Sequence, residues 1–419
     1  MILFSTGSEH HDLTSSDLRE GLVAALDKIG TRKKILIIPP DITRFHSRAG
    51  EITCMAREYF GHHISDILPA LGTHKPMNSV ELDRMFPGVP HNLFRVHDWR
   101  NDVIRIGEVP AEFISKVSDG ALNFSLPVEL NKMVYEGGHD LILSVGQVVP
   151  HEVIGMANYN KNLLIGCGGA ESINKSHFIG AVYGMERIMG IADNPVRQVL
   201  NYSADHFLSH LPIIYVLTVL EQNILLGRMV TRGLYIGTSE EVFLAAAELS
   251  AKVNNTIIDK PLQKVVVYLD PEEYRSTWLG NKSIYRTRKA IADGGELIVL
   301  APGVKEFGED AEIDRLIRKY GYKGTPATLD AVRYNDDLSS NLSAAAHLIH
   351  GSSEGRFRIT YCPGHLTRQE IEKAGYEFGA LDSLTKRYKA ENLRSGYNET
   401  SDGEKYYYIS NPATGLWQI

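Results

Sequence analysis

Lys34-Ile35-Leu36-Ile37-Ile38-Pro39-Pro40-Asp41-Ile42-Thr43-Arg44 is the stretch on which the fold turns. Its apolar run carries no polar alternation, so it reads as a strand buried on both faces, the kind found inside parallel sheets. The two prolines end it, because each lacks a backbone donor for the next ladder bond. A polar Asp-x-Thr-Arg then follows directly on the strand. The same grammar recurs. Asp66-Ile67-Leu68-Pro69-Ala70-Leu71 leads into the turn Gly72-Thr73-His74, and Leu141-Ile142-Leu143-Ser144-Val145 delivers the chain to Pro150-His151. Asn78 with Glu81 three residues on is an N-cap with its capping-box partner, so a helix opens just after that turn.

A second series begins near residue 262. Lys264–Leu269, Glu296–Leu300 after Gly294-Gly295, and Phe357–Tyr361 read as strands, with a helix from about Asn281 to Ala292. Apolar runs alternating with amphipathic stretches give an α/β fold, expected as two Rossmann-like α/β domains with the active site in the cleft between them. The expected boundaries are 1–257 and 258–399, with the tail 400–419 returning to the first domain. Lys252–Asp259 is the expected linker, and the turn-rich stretch 394–403 is expected to bridge the domains.

Bulk properties narrow the class. A chain of 419 residues is too long for one ordinary core. Its 43% hydrophobic and 23% charged residues are globular averages, and a net charge of −7 offers no basic stripe for nucleic acid. The N-terminus MILFSTGSEHHDL lacks a signal-peptide pattern, and no apolar run spans a bilayer. Three scattered cysteines, Cys54, Cys167 and Cys362, argue against a disulfide framework. The chain reads as a soluble cytoplasmic protein with no nucleic-acid or membrane partner, and its oligomeric state is not legible.

Chemistry-bearing residues follow the strands, where open α/β sheets bind ligands. Asp41 can cap a helix or orient an imidazole, and Arg44 offers a fork for carboxylate or phosphate. Thr73 and His74 sit on a tight turn, where a neutral imidazole can take a hydroxyl proton near neutral pH. His151, Lys161 and His177 share one segment, PHEVIGMANYNKNLLIGCGGAESINKSH, as base, covalent anchor and metal ligand candidates. Each also has an ordinary reading as a solvated or structural side chain. No HExxH or CxxC accompanies them, and Gly166-Cys167-Gly168-Gly169 fits no phosphate fingerprint. In the second series, Lys282 follows Trp278-Leu279-Gly280-Asn281.

The order DxTR, GTH, then PH with a lysine ten and a histidine twenty-six positions later, resembles the nickel-pincer lactate racemase family. His97-Asp98-Trp99 and Gly294-Gly295-Glu296-Leu297-Ile298 also look like it, so the resemblance covers nearly the whole chain. It implies a nickel-pincer nucleotide cofactor (pyridinium-3,5-bisthiocarboxylic acid mononucleotide nickel), held through Lys161 as a thioamide, with Ni ligated by His177. By the same resemblance His74 and His151 alternate as acid and base. Asp41, Arg44 and Thr73 support the cofactor, and Arg44, Lys282, Trp278 and Leu279 contact substrate. The implied reaction inverts C2 of a 2-hydroxy acid: the hydroxyl gives up a proton, C2 gives up hydride, and a planar 2-keto acid is reduced again from either face.

Three departures stand out. GMANYNKNLLIG replaces the family's usual GFSGGRKS, GTHK replaces GTHR, and Trp278-Leu279 stands where lactate racemases carry Tyr-Gln. The expected substrate is therefore a 2-hydroxy acid other than lactate. A sugar-acid isomerase using an ordinary divalent metal, or a non-enzymatic binding protein on the same fold, are the alternatives.

Overall fold

The computed structural model describes residues 1–223, 226–388, 394–413 and 415–419. Two compact units divide the chain: Met1–Ile179 with Ile188–Asn254, and Gly180–Arg187 with Asn255–Ile419. Each is α/β with a mainly parallel six-stranded sheet.

The first unit is built on β1 (Ile2–Gly7), β2 (Ile35–Ile38), β3 (Ile64–Ile67), β4 (Leu141–Gln147), β5 (Ile213–Asn223) and β6 (Arg228–Gly237). Their spatial order is β1-β6-β5-β4-β2-β3. The pairs β2–β3, β2–β4 and β4–β5 are parallel, while β6 and β1 close one edge antiparallel. Every residue of β2 is fully buried, as a continuous apolar run inside a parallel sheet demands. The chain moves outward from β2 to β3 and comes back on the other side of β2 as β4. The strand order therefore reverses between β2 and β4, and a crevice opens past their carboxyl ends.

Helix α1 (Ser15–Ile29) begins with a Thr14–Asp17 capping box and buries Leu18, Leu22, Ala25 and Leu26 at helical spacing. Together with α2 (Ala49–Phe60) it covers this sheet, and Leu22, Ile52 and Val145 share one core. The expected Asn78–Glu81 capping box is present at the start of α3 (Ser79–Met85).

The second unit contains β7 (Leu262–Tyr268), β8 (Ile291–Ala301), β9 (Arg358–Pro363), β10 (Glu377–Phe378), β11 (Gly396–Glu399) and β12 (Lys405–Ile409), in the order β10-β9-β8-β7-β12-β11. Two expectations about the tail are overturned here. Residues 405–409 do not return to the first domain: Tyr407, Tyr408 and Ile409 pair in parallel with Val265, Val266 and Val267, and Leu416–Gln418 pairs with Asn255–Ile257 of the same unit. The stretch 396–399, expected as a bridge, is a strand hairpinned onto β12. The reason is the free ladder edge of β7, which the tyrosine-rich strand satisfies while burying Tyr406 and Tyr408.

Two local expectations also change. The helix expected over 281–292 is two short helices, Thr277–Gly280 and Lys282–Thr287, and Ile291 already pairs with Leu262. Lys252, expected in a linker, lies in the last turn of the helix Glu240–Asn254, bonded to Glu248 at 2.8 Å. Among the described residues no helix is long and apolar enough to cross a membrane.

Candidate active site at the carboxyl ends of β2 and β4

Asp41 follows β2 and serves as both helix cap and imidazole partner. Its Oδ1 accepts from the Thr43 amide at 3.1 Å and from the Thr43 hydroxyl, while Oδ2 faces His74 Nδ1 at 2.6 Å. The carboxylate is buried, whereas the His74 side chain is 59% exposed on its turn. Burial alone would push the Asp41 carboxyl up, but His74 and the Thr43 donors outweigh it and hold it below the ordinary range. An ionised Asp41 makes Nδ1 of His74 the protonated nitrogen and leaves Nε2 with an open lone pair. Thr73 beside it is exposed.

His151 follows β4 and has the opposite arrangement. Its Nδ1 accepts from the Val153 amide at 3.1 Å, so a neutral ring carries its proton on Nε2. Burial lowers its pKa well below the usual histidine value, and Lys161, Arg44 and His177 push the same way against Glu152.

Lys161 lies on the short helix Asn160–Leu164. Asn162 fastens that helix across the strand-order reversal, with its Nδ2 donating to Ile38 O of β2 and Ser144 Oγ of β4, both at 3.0 Å. Burial and the Arg44 and Arg197 guanidiniums bring the Lys161 amine down to about 8, against the pull of Glu152 and Asp41. The Arg44 amide donates to Asp41 O at 3.0 Å, but its guanidinium makes no hydrogen bond or ion pair among the described residues. It leaves a cation beside two other basic groups, an arrangement that favours an anionic ligand.

His177 sits on the helix Ala170–Tyr183. Its Nδ1 donates to the Ile173 carbonyl one turn back at 2.7 Å, and burial lowers its pKa to about 4. The ring is thus neutral with Nε2 unprotonated, which is the state and orientation a metal-ligating histidine needs. Among the described residues no group of three or more His, Cys, Asp or Glu side chains is placed to hold a metal ion. A metal at His177 would draw its other ligands from a bound group.

The structure therefore gathers Asp41, Arg44, His74, His151, Lys161 and His177 in the first unit. Trp278, Leu279 and Lys282 belong to the second unit, all partly exposed. The Trp278 ring stacks on the buried His347 at 4.3 Å, and His347 is held by the Tyr285 and Tyr322 hydroxyls at 2.8 and 3.0 Å.

Sequence reasoning missed Glu152, Asn162 and Arg197. Glu152 adjoins His151 and acts electrostatically on His151, Lys161 and His177. Only its place beside His151 marked it out. The glycines 166–169 and His97 are structural. His97 donates to Gly168 O at 3.0 Å, and a Cβ on Gly169 would lie 2.3 Å from Glu129. The Glu129 carboxylate also accepts from Glu171 and Ser172 at the start of the helix, filling the place of an anion there.

No functionally curated protein sequence matches the chain. Solved structures similar to it include the following two. A Thermotoga maritima protein, 25% identical, superposes with a TM-score of 0.77 over 97% of this chain and all of that one. The lactate racemase apoprotein of Thermoanaerobacterium thermosaccharolyticum, 18% identical, gives a TM-score of 0.69 over 99% of this chain and 90% of that one, a likeness of fold. Residues 22–188, which hold Asp41, His74, His151, Lys161 and His177, match the lactate racemase N-terminal domain.

Proposed function

We propose that this protein is a nickel-dependent racemase or epimerase that inverts C2 of a 2-hydroxy acid other than lactate. The match of residues 22–188 to the lactate racemase N-terminal domain supports the racemase or epimerase type. The nickel-pincer reading is carried by one observation: a neutral imidazole with an open Nε2, His177, near an amine brought down to about 8, Lys161.

The residues fit the group. An amine that is largely neutral at slightly alkaline pH can form an amide-type bond to the cofactor, and Lys161 would hold it so. His177 Nε2 would ligate the nickel, and Arg44, its guanidinium unpaired among the described residues and beside Lys161, would meet the phosphate or the substrate carboxylate. When bound, such a nucleotide supplies an electrophilic carbon that takes the C2 hydrogen with its electron pair.

The protein's own groups manage the proton. His74 Nε2 takes the hydroxyl proton, and buried Asp41 stabilises the imidazolium that results. His151, in its Val153-bonded tautomer, presents Nε2–H to the carbonyl oxygen that forms. To act as the base in the opposite direction, His151 gives up that amide bond and moves its proton to Nδ1. The two histidines are therefore unequal partners. Lys282 would steady the substrate carboxylate, and Trp278 and Leu279 would meet the side chain at C3, where an apolar pair disfavours a second charge.

The sugar-acid isomerase alternative calls for an ordinary divalent ion held by three or more side chains, and no such group is placed among the described residues. The test is the metal content of protein purified from a host that makes the pincer nucleotide, with a panel of chiral 2-hydroxy acids as substrates. Near-stoichiometric nickel lost in His177→Ala is expected. Zinc, manganese or no metal would overturn the reading.

A further inference from the structure

The backbone just before Lys161 is unusual. Asn158 and Tyr159 adopt φ of 67° and 61° in succession, and Tyr159 has ψ of −136°, a conformation ordinarily left to glycine. Neither residue is glycine, so surrounding contacts must impose the shape. Tyr159 stacks on Phe243 with centroids 5.2 Å apart and an interplanar angle of 14°, and packs on Tyr215 at 4.4 Å. Asn158 Oδ1 accepts from the Tyr159 amide at 2.7 Å.

Arg197 supplies the rest. It lies in the first turn of the helix Pro195–Phe207, its amide bonded to Asn194 Oδ1 at 3.1 Å, and only 1% of it is exposed. Its guanidinium donates to Met156 O at 2.7 Å, to Asn158 O at 3.4 Å from both terminal nitrogens, and to Asn160 Oδ1. Its Cζ lies 4.3 Å from the Phe243 ring centroid, and its buried Nε has no hydrogen bond among the described residues. Among the described residues no carboxylate is a hydrogen-bond partner of its side chain. The nearest acid in the chain of bonds is Glu240, reached through Asn160 and Asn201 at 2.6 and 2.5 Å. Burying a cation against carbonyls is costly, and an apolar side chain would fill the volume without that cost. What only a guanidinium does here is pin one carbonyl ahead of the strained pair, Met156 O, and the one inside it, Asn158 O, together with the side chain that precedes Lys161.

We infer that Arg197 is the positioning residue that holds Asn158-Tyr159 in a glycine-like conformation and so presents the Lys161 amine as a nucleophile. Its consequence for cofactor attachment rests on the reading of Lys161 above; the inference about the loop does not. Lys161 is then fixed from both sides, by Arg197 through Asn160 and by the β2–β4 ends through Asn162.

The test is acylation of the apoprotein by the N-hydroxysuccinimide ester of acetic acid at pH 8. The lysine amine forms an amide, N-hydroxysuccinimide leaves, and the proton goes to buffer. Peptide mass spectrometry reads Lys161 against the exposed Lys260. In Arg197→Met, Lys161 labelling should fall at least tenfold, and adding Tyr159→Gly should restore most of it, because glycine adopts the required backbone unaided. A purely electrostatic effect on the amine would not be rescued by glycine. Labelling within twofold of wild type in Arg197→Met, or no recovery in the double variant, overturns the inference. If Arg197→Met does not fold, Asn160→Ala decides: it removes one arm of the clamp and should lower labelling severalfold, and unchanged labelling overturns the inference. No metal or substrate enters this experiment, so it can fail while nickel binding succeeds, or the reverse.

Discussion

Asp41→Asn isolates the most consequential hydrogen bond in the site. The amide is isosteric with the carboxylate, and its oxygen should stay toward the Thr43 amide and hydroxyl, both donors. That choice turns the NH2 toward His74 Nδ1, now 2.6 Å from Oδ2. Nδ1 must then accept, the ring proton moves to Nε2, and the lone pair that would take the substrate's hydroxyl proton is gone. A positioned general base contributes roughly 10²–10⁴-fold, so turnover should fall by that factor, about 3–5 kcal/mol of barrier. Stability should hardly move: His74 is 59% exposed, and a pair so wetted contributes at most about 1 kcal/mol. The sign of its pH dependence is fixed. A carboxyl lowered in the folded state stabilises above the ordinary carboxylate range, and that stability is lost as pH falls through the lowered value. Two assays check this. Nitrogen-15 NMR of the imidazoles should show the His74 proton moving from Nδ1 to Nε2, and chiral chromatography should show the loss of inversion with an unchanged melting curve. An unchanged tautomer, or activity within threefold of wild type, would refute the argument.

Other consequences are as concrete. The Lys161 amine, at about 8, should acylate with a pH midpoint near that value and then level off; a rate still climbing to pH 10 would contradict the burial argument. His177→Ala should remove nickel from holoprotein while leaving Lys161 acylation of apoprotein unchanged, as read by metal analysis and peptide mass. Gly146→Ala places a Cβ 2.0 Å from Asn158 Nδ2, so it should cost about 1–3 kcal/mol in urea unfolding and slow Lys161 labelling. In the second unit, Glu186→Gln leaves the buried Arg288, now bonded at 2.6 Å, without its carboxylate. Since Glu186 itself is 35% exposed, a loss of about 2 kcal/mol is expected by denaturant titration, below the value for a fully buried pair.

The legible part of the site followed from strand ends. Asp41, His74 and His151 could be placed because buried strands stop at prolines or glycines and hand the next polar residue to the crevice. The reading of Asp41 as either cap or imidazole partner failed only in posing a choice, since its two oxygens serve both. Arg197 was invisible for a physical reason. It is buried in the same helix as Val196, Val199 and Leu200, and an arginine in a helix is ordinarily a solvated side chain. Its burial is explained by partners some forty residues away, the carbonyls of Met156 and Asn158 and the Asn160 side chain. The strain at Tyr159 was equally hidden, because a tyrosine carries no local signal for a positive φ.

Sequence alone determined the α/β class, the strands β2, β4, β7 and β9, the capping box at Asn78, and the spacing of His151, Lys161 and His177. These are local properties, set by apolar runs, prolines and helix-start chemistry within a few residues. Tertiary structure decided the rest. It put the tail strand 405–409 beside β7 rather than in the first unit, because a free ladder edge is satisfied by whichever strand can reach it and not by proximity in sequence. It also set the tautomers. His74, His151 and His177 are the same residue type, but a carboxylate, a backbone amide and a backbone carbonyl at their Nδ1 atoms give them three different chemistries.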